Sequence, residues 1–142
     1  MTDFHEISIH NSGGMNFHSE IDGHSISIDS SEEHGGTNQG PRPKALLLLA
    51  LAGCTGMDVS SLLKKMRAEY SRMEIKVRGD LTEEHPKYYD KIYITYIVEG
   101  MPKEHQSKME KSVDLSLTRY CGVTAMLGKA AEITHTIEFK DK

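Results

Sequence analysis

Tryptophan is absent from this 142-residue chain, and cysteine occurs only twice, as Cys54 and Cys121. The two lie 67 positions apart (121 − 54), so there is no CxxC pair, and with it no thioredoxin-type motif or zinc ribbon. The eight histidines include no HExxH or CxxH-like spacing, so no metal ion is expected. No cofactor is expected either: no glycine-rich phosphate loop follows a strand, and Ser60-Ser61 lacks a GxSxG setting. A surplus of positive charge is also missing. Seventeen Lys and Arg against 21 Asp and Glu give a net charge of −4 and a pI near 6.0. That removes the electrostatic reason to expect nucleic acid or an anionic membrane as a partner. The local cluster Lys64-Lys65-Met66-Arg67 reads as the solvated face of a helix. No basic start followed by an apolar core opens the chain. The longest apolar run, Ala45 to Ala52, is far shorter than the ~20 residues of a bilayer span. A cytoplasmic protein is therefore the expectation, a setting where a permanent structural disulfide is not expected.

What is present is ordinary globular composition, 37% hydrophobic and 27% charged, which fits one domain over residues 1–142. Residues 1–31 read as a three-stranded meander. Ile7 and Ile9 alternate with polar residues, Asn11-Ser12-Gly13-Gly14 signals a turn, and Met15, Phe17 and Ile21 mark a second strand. Asp22-Gly23 is a two-residue hairpin turn before the alternating Ile26 and Ile28. A glycine-rich loop, 32–43, has too little apolar content for a core of its own. A central helix is expected over 43–68, with Pro43 suited to its first turn. Its front half is apolar all round, and its rear half narrows to Val59, Leu62, Leu63 and Met66. So small a domain has little to cover such a front half, which hints at a second subunit over part of it. Strand patterns follow within 73–99, the second apolar on both faces and so central. A second helical region occupies 102–130, carrying Met109, Val113, Leu117 and Tyr120, with Gly122 as a stop. A last strand fills 132–140. The order βββ-α-ββ-α-β indicates an α+β fold, two helices packed on a mostly antiparallel sheet.

Two readings are open for Cys54: a small hydrophobe in a core, or a nucleophile kept dry. It lies roughly 15 Å along its helix at ~1.5 Å per residue, beyond reach of the helix dipole. Asp58, four residues on, would raise its pKa. Any activating cation must come from elsewhere. Arg42 and Lys44 are too far back along the same helix to reach their own Cys54, but could reach one across a dimer; Arg119 adjoins Cys121 in sequence apart from Tyr120.

The stretch GPRPKALLLLALAGCTGMDVSSLLKKMR resembles the central helix of the OsmC/Ohr family, osmotically inducible protein C and organic hydroperoxide resistance proteins. The G-P-R-P start is similar to an OsmC-like branch, and Arg119-Tyr120-Cys121-Gly122-Val123-Thr124 resembles the family's second cysteine segment. The resemblance covers nearly the whole chain. It implies an intertwined homodimer with active sites at the subunit interface, which accounts for the apolar front half of the helix. It implies a thiol-dependent reductase for alkyl or fatty-acyl hydroperoxides, with Cys54 peroxidatic, Cys121 resolving and a dithiol, small or protein, as reductant. The alternative is a non-catalytic dimer holding a small hydrophobic ligand at the interface. The sequence departs from the peroxidase pattern in two places. Lys44 stands where those members carry glutamate, and no Arg or Lys precedes Arg42 to supply the paired arginine. Lys44, Arg42 and Arg119 are the candidate substitutes, as point charges or as guanidinium groups.

Overall fold

A computed structural model describes residues 3–142, which fall into two units, one ending at Leu47 and the other Leu48–Lys142. In the first unit, β1 (His10–Gly13), β2 (Asn16–Ile21) and β3 (His24–Ile28) form an antiparallel sheet in that order. The Asp22-Gly23 turn has φ of 53° and 80°. Positive φ at both central residues is what a hairpin of this twist requires. The first strand differs from expectation. It occupies His10–Gly13, which includes Asn11, Ser12 and Gly13 of the expected turn, while Ile7 and Ile9 lie outside it, 63% and 44% exposed. Their alternation, read as the signal of the first strand, marks no buried face. The turn itself sits one step later, at Gly14-Met15.

The glycine-rich loop is organised by one buried carboxylate at the end of β3. Asp29 accepts hydrogen bonds from the backbone N–H groups of Ser30 (2.7 Å), Gln39 (3.1 Å) and Thr37 (3.3 Å), and from the Thr37 hydroxyl (2.9 Å). These donors, Gln39 foremost and against the opposing effect of burial, hold its carboxyl down at about 2. A segment without apolar content thus gains a fixed shape from charge-assisted hydrogen bonds.

The second unit contains β4 (Arg72–Leu81), β5 (Tyr89–Glu99) and β6 (Glu132–Lys140), with β5 in the centre, as its two-sided apolar pattern predicts. β4 and β5 are antiparallel, with Ile75 opposite Tyr96. β6, however, runs parallel to β5, with Ile137 opposite Tyr96. A parallel return needs a long crossover. Here it carries α2 (Gln106–Leu115), a π-helical turn (Ser116–Tyr120) and α3 (Gly122–Leu127). The second helical region is therefore broken in two, with Cys121 at the break.

Helix α1 spans Ala45–Lys65, inside the expected 43–68. Its buried residues Leu51, Thr55, Val59 and Leu63 recur every fourth position and make one stripe. That stripe meets Ile92, Ile94, Tyr96 and Val98 of β5 and Met109 and Val113 of α2 in the core. Each fully buried aliphatic side chain there contributes about 1.5–3 kcal/mol. Burial all round the front half is not found in the single chain: Leu47 and Leu49 are 48% and 66% exposed. The helix ends with Arg67 in the left-handed region (φ 56°), Ala68 N–H donating to Leu63 O at 2.9 Å and Lys108 Nζ to Met66 O at 3.0 Å. The last of these bonds ties α2 to the end of α1. By length and apolarity alone α1 would pass for a membrane span, but its stripe is built into this core.

Candidate active site

Two elements carry the cysteines. Cys54 projects from the middle of α1, part-buried. Cys121 is buried and extended (φ −78°, ψ 103°), between the π-helical turn and α3. The turn is closed by Cys121 N–H donating to Ser116 O at 2.8 Å, a five-residue span. Such widened turns end or deform a helix and recur at functional sites. The Cys121 sulfur in turn accepts from Thr124 N–H at 3.4 Å and so caps α3. Both thiols are free. The Sγ atoms of Cys54 and Cys121 and a carboxylate oxygen of Asp58 all lie within 4.8 Å of one another. Residues 67 positions apart (121 − 54) thus share one site.

Behind this trio runs a buried hydrogen-bonded chain. Ser116 Oγ donates to Asp58 Oδ2 at 2.9 Å. Thr55 Oγ1 lies 2.8 Å from Ser116 Oγ and 2.7 Å from Tyr96 Oη. Each hydroxyl has one hydrogen, and an ionised carboxylate only accepts. With Asp58 ionised the direction is settled: Tyr96 donates to Thr55, Thr55 to Ser116, Ser116 to Asp58. Tyr96, Thr55 and Ser116 are all inaccessible to solvent. Burial pushes the Tyr96 phenol up to about 12, against the Thr55 hydrogen bond and with the charges of Cys121 and Asp58. It therefore stays a donor throughout the neutral range. Among the described residues, the buried side-chain polar atom left without a partner is Thr124 Oγ1, three residues from Cys121.

Burial also pushes the Cys54 thiol up from its ordinary value. The neighbouring Cys121 and the Asp58 charge act in the same direction, and the Val123 backbone N–H acts against them. Within residues 48–142 none of the groups acting on Cys54 is a cation. The sequence-based candidates for that cation stand as follows. The Arg119 guanidinium lies over the Tyr120 ring, 5.6 Å from its centroid, and both residues are exposed. In the first unit Arg42 is exposed, with Nη1 donating to Gly40 O at 2.9 Å, and Lys44 is exposed. The residues that sequence reasoning missed are Thr55, Tyr96 and Ser116. Tyr96 was counted with the apolar residues of β5, and its hydroxyl was the one available signal. A serine in an amphipathic helix gives none.

The site sits on a family fold. Residues 36–136 match the family described as OsmC-like protein, and the chain belongs to that family. It is 34% identical over 126 residues to the Escherichia coli (strain K12) protein YhfA, covering 88% of this chain and 90% of that one. Among crystal structures it is similar to a hypothetical protein from Aquifex aeolicus VF5, with a TM-score of 0.84, 29% identity and 99% of both chains covered. An organic hydroperoxide resistance protein OsmC from Legionella pneumophila shares the fold at a TM-score of 0.65 and 14% identity, over 96% of this chain and 99% of that one. The α+β class and the OsmC family expected from the two cysteine segments therefore hold.

Proposed function

We propose that this protein is a thiol-dependent, peroxidase-like redox protein that reduces organic hydroperoxides, alkyl or fatty-acyl, with Cys54 peroxidatic and Cys121 resolving. The observation that carries the reading is the approach of the two sulfurs to within 4.8 Å in a part-buried site. The Cys54 thiolate attacks the terminal peroxide oxygen. A sulfur–oxygen bond forms as the oxygen–oxygen bond breaks, and the alkoxide leaves, taking a proton to become the alcohol. Cys54 is then a sulfenic acid. Cys121 attacks that sulfur, the disulfide forms and water departs. An external dithiol restores both thiols by two exchanges. A disulfide needs sulfurs about 2.05 Å apart, and Cys121 sits at a break between two helical segments, where a short shift is least costly.

The protein acts in this reading as a cytoplasmic homodimer. Leu49, Met57 and Met126 are 66%, 77% and 74% exposed, apolar surface that a second copy would cover. Lys44, Arg42 and Arg119 are the candidate cations for the Cys54 thiolate in the assembled dimer. The test is consumption of cumene hydroperoxide with a dithiol reductant. Wild type turns over, Cys54→Ser does not, and Cys121→Ser stops after one equivalent or turns over only with excess thiol. Wild-type turnover no faster than that of Cys54→Ser rejects the proposal.

A second reading is favoured by the upward-shifted Cys54 thiol and by the missing Arg–Glu pair. It is a non-catalytic dimer holding a small hydrophobic ligand at its interface. Inactive wild-type protein that carries fatty acid in native mass spectrometry would select it.

A further inference from the structure

The three groups that converge at the break between the π-helical turn and α3 are two thiols and a carboxylate, all able to carry negative charge. We propose that Cys54, Asp58 and Cys121 form a site for a thiophilic divalent cation, zinc in the first place. This departs from the sequence, where no spacing announced a metal. The proposal goes beyond the peroxidase reading and does not depend on it.

Three features of the geometry carry it. First, the donor atoms are already gathered, none more than 4.8 Å from another. Tetrahedral zinc with Zn–S of about 2.3 Å sets its sulfurs roughly 3.8 Å apart, so the site closes on the ion by about 1 Å or less. Second, the donor set is selective. Two soft thiolates disfavour magnesium and calcium, and three protein ligands leave a fourth position for water or a small ligand. Third, the surroundings are those of a ligand shell rather than of loose thiols. Ser116 Oγ fixes Asp58 Oδ2 at 2.9 Å, backed by Thr55 and Tyr96. A backbone N–H points at the Cys121 sulfur, from Thr124 at 3.4 Å. Hydrogen bonds of this kind orient metal ligands and raise site affinity.

The reaction balances as Zn²⁺ plus two thiols giving a zinc dithiolate and two protons, with no change in oxidation state. Bound zinc would hold both sulfurs and withhold them from peroxide and alkylating agents.

The experiment uses full-length, reduced protein under anaerobic conditions, titrated with Zn²⁺ against a chromophoric chelator and, separately, with Co²⁺. One equivalent per chain is expected, with about two protons released to a pH indicator and a sulfur-to-cobalt charge-transfer band. Asp58→Asn should weaken binding at least tenfold without abolishing the band. Cys54→Ser and Cys121→Ser should each lose the band. Because a serine variant could also perturb folding, wild-type protein with both thiols blocked by iodoacetamide serves as a second control, and it should not bind. Sub-stoichiometric binding, absence of the band, or binding unchanged after thiol blocking overturns the proposal. The last outcome would place the metal on surface histidines.

Discussion

Asp58 and Cys54 lie one helical turn apart on α1, and the carboxylate acts on a thiol that is already hard to ionise. Burial makes the Cys54 thiolate harder to form, and the neighbouring Cys121 and the Asp58 charge add to it. The sign follows directly. A thiol shifted upward is protonated at neutral pH, and its reactivity rises only as the pH approaches the shifted value. For metal-free protein, the rate of Cys54 alkylation should still be climbing above pH ~8.5, where an ordinary thiol is half ionised. Asp58→Asn removes one of the opposing charges, so the profile should move to lower pH and the rate at pH 7 should rise. Iodoacetamide kinetics on wild type, Asp58→Asn and Cys54→Ser check this. An unchanged profile in Asp58→Asn would mean that the carboxylate does not act on the thiol. In sequence, Asp58 announced its effect through the i, i+4 spacing, because helical neighbours are local. The distance to Cys121 had no such local expression.

At the scale of elements, the buried hydroxyl chain fastens α1, β5 and the π-helical turn to one another. Ser116 is its centre, bonding both Thr55 and Asp58. Ser116→Ala leaves a buried hydroxyl and a carboxylate short of a partner, which costs about 1–3 kcal/mol. Tyr96→Phe removes an end of the chain, and Thr55 keeps its bond to Ser116, so the loss should be nearer ~1 kcal/mol. Urea unfolding of the two variants gives the order; a Tyr96→Phe loss larger than that of Ser116→Ala contradicts the direction assigned to the chain. Most elements could be read from the sequence. The β4 and β5 patterns, the Asp22-Gly23 hairpin and the last strand at 132–140 all followed from residue periodicity or turn chemistry. β1 did not, because an exposed strand has no alternating burial to reveal it. The break at Cys121 also escaped, since a π-helical turn keeps a nearly helical residue pattern.

At the scale of the molecule, α1 presents apolar side chains that the single chain leaves open, Leu49 and Met57 among them. Burying surface of this kind is what drives association. Sedimentation equilibrium should give twice the chain mass of 15.9 kDa. The pair Leu49→Asp and Met57→Asp should shift the protein toward monomer, with circular dichroism confirming that the fold is retained. A wild-type monomer would remove the dimer from the proposed function, leaving the meeting of Cys54 and Cys121 within one chain untouched.

The sequence by itself determined the family, the α+β class, the order of most elements and the two residues able to do sulfur chemistry. Periodicity, turn residues and the cysteine segments are properties of near neighbours, and near neighbours are what a linear chain displays. The tertiary structure alone decided that Cys54 and Cys121 meet, that Asp58 stands with them, that β6 returns parallel to β5, and that Thr55 is joined to Tyr96 and Ser116 across 41 and 61 positions. Those facts depend on which distant segments the core brings together. No local pattern encodes that choice; the burial of the shared apolar stripe does.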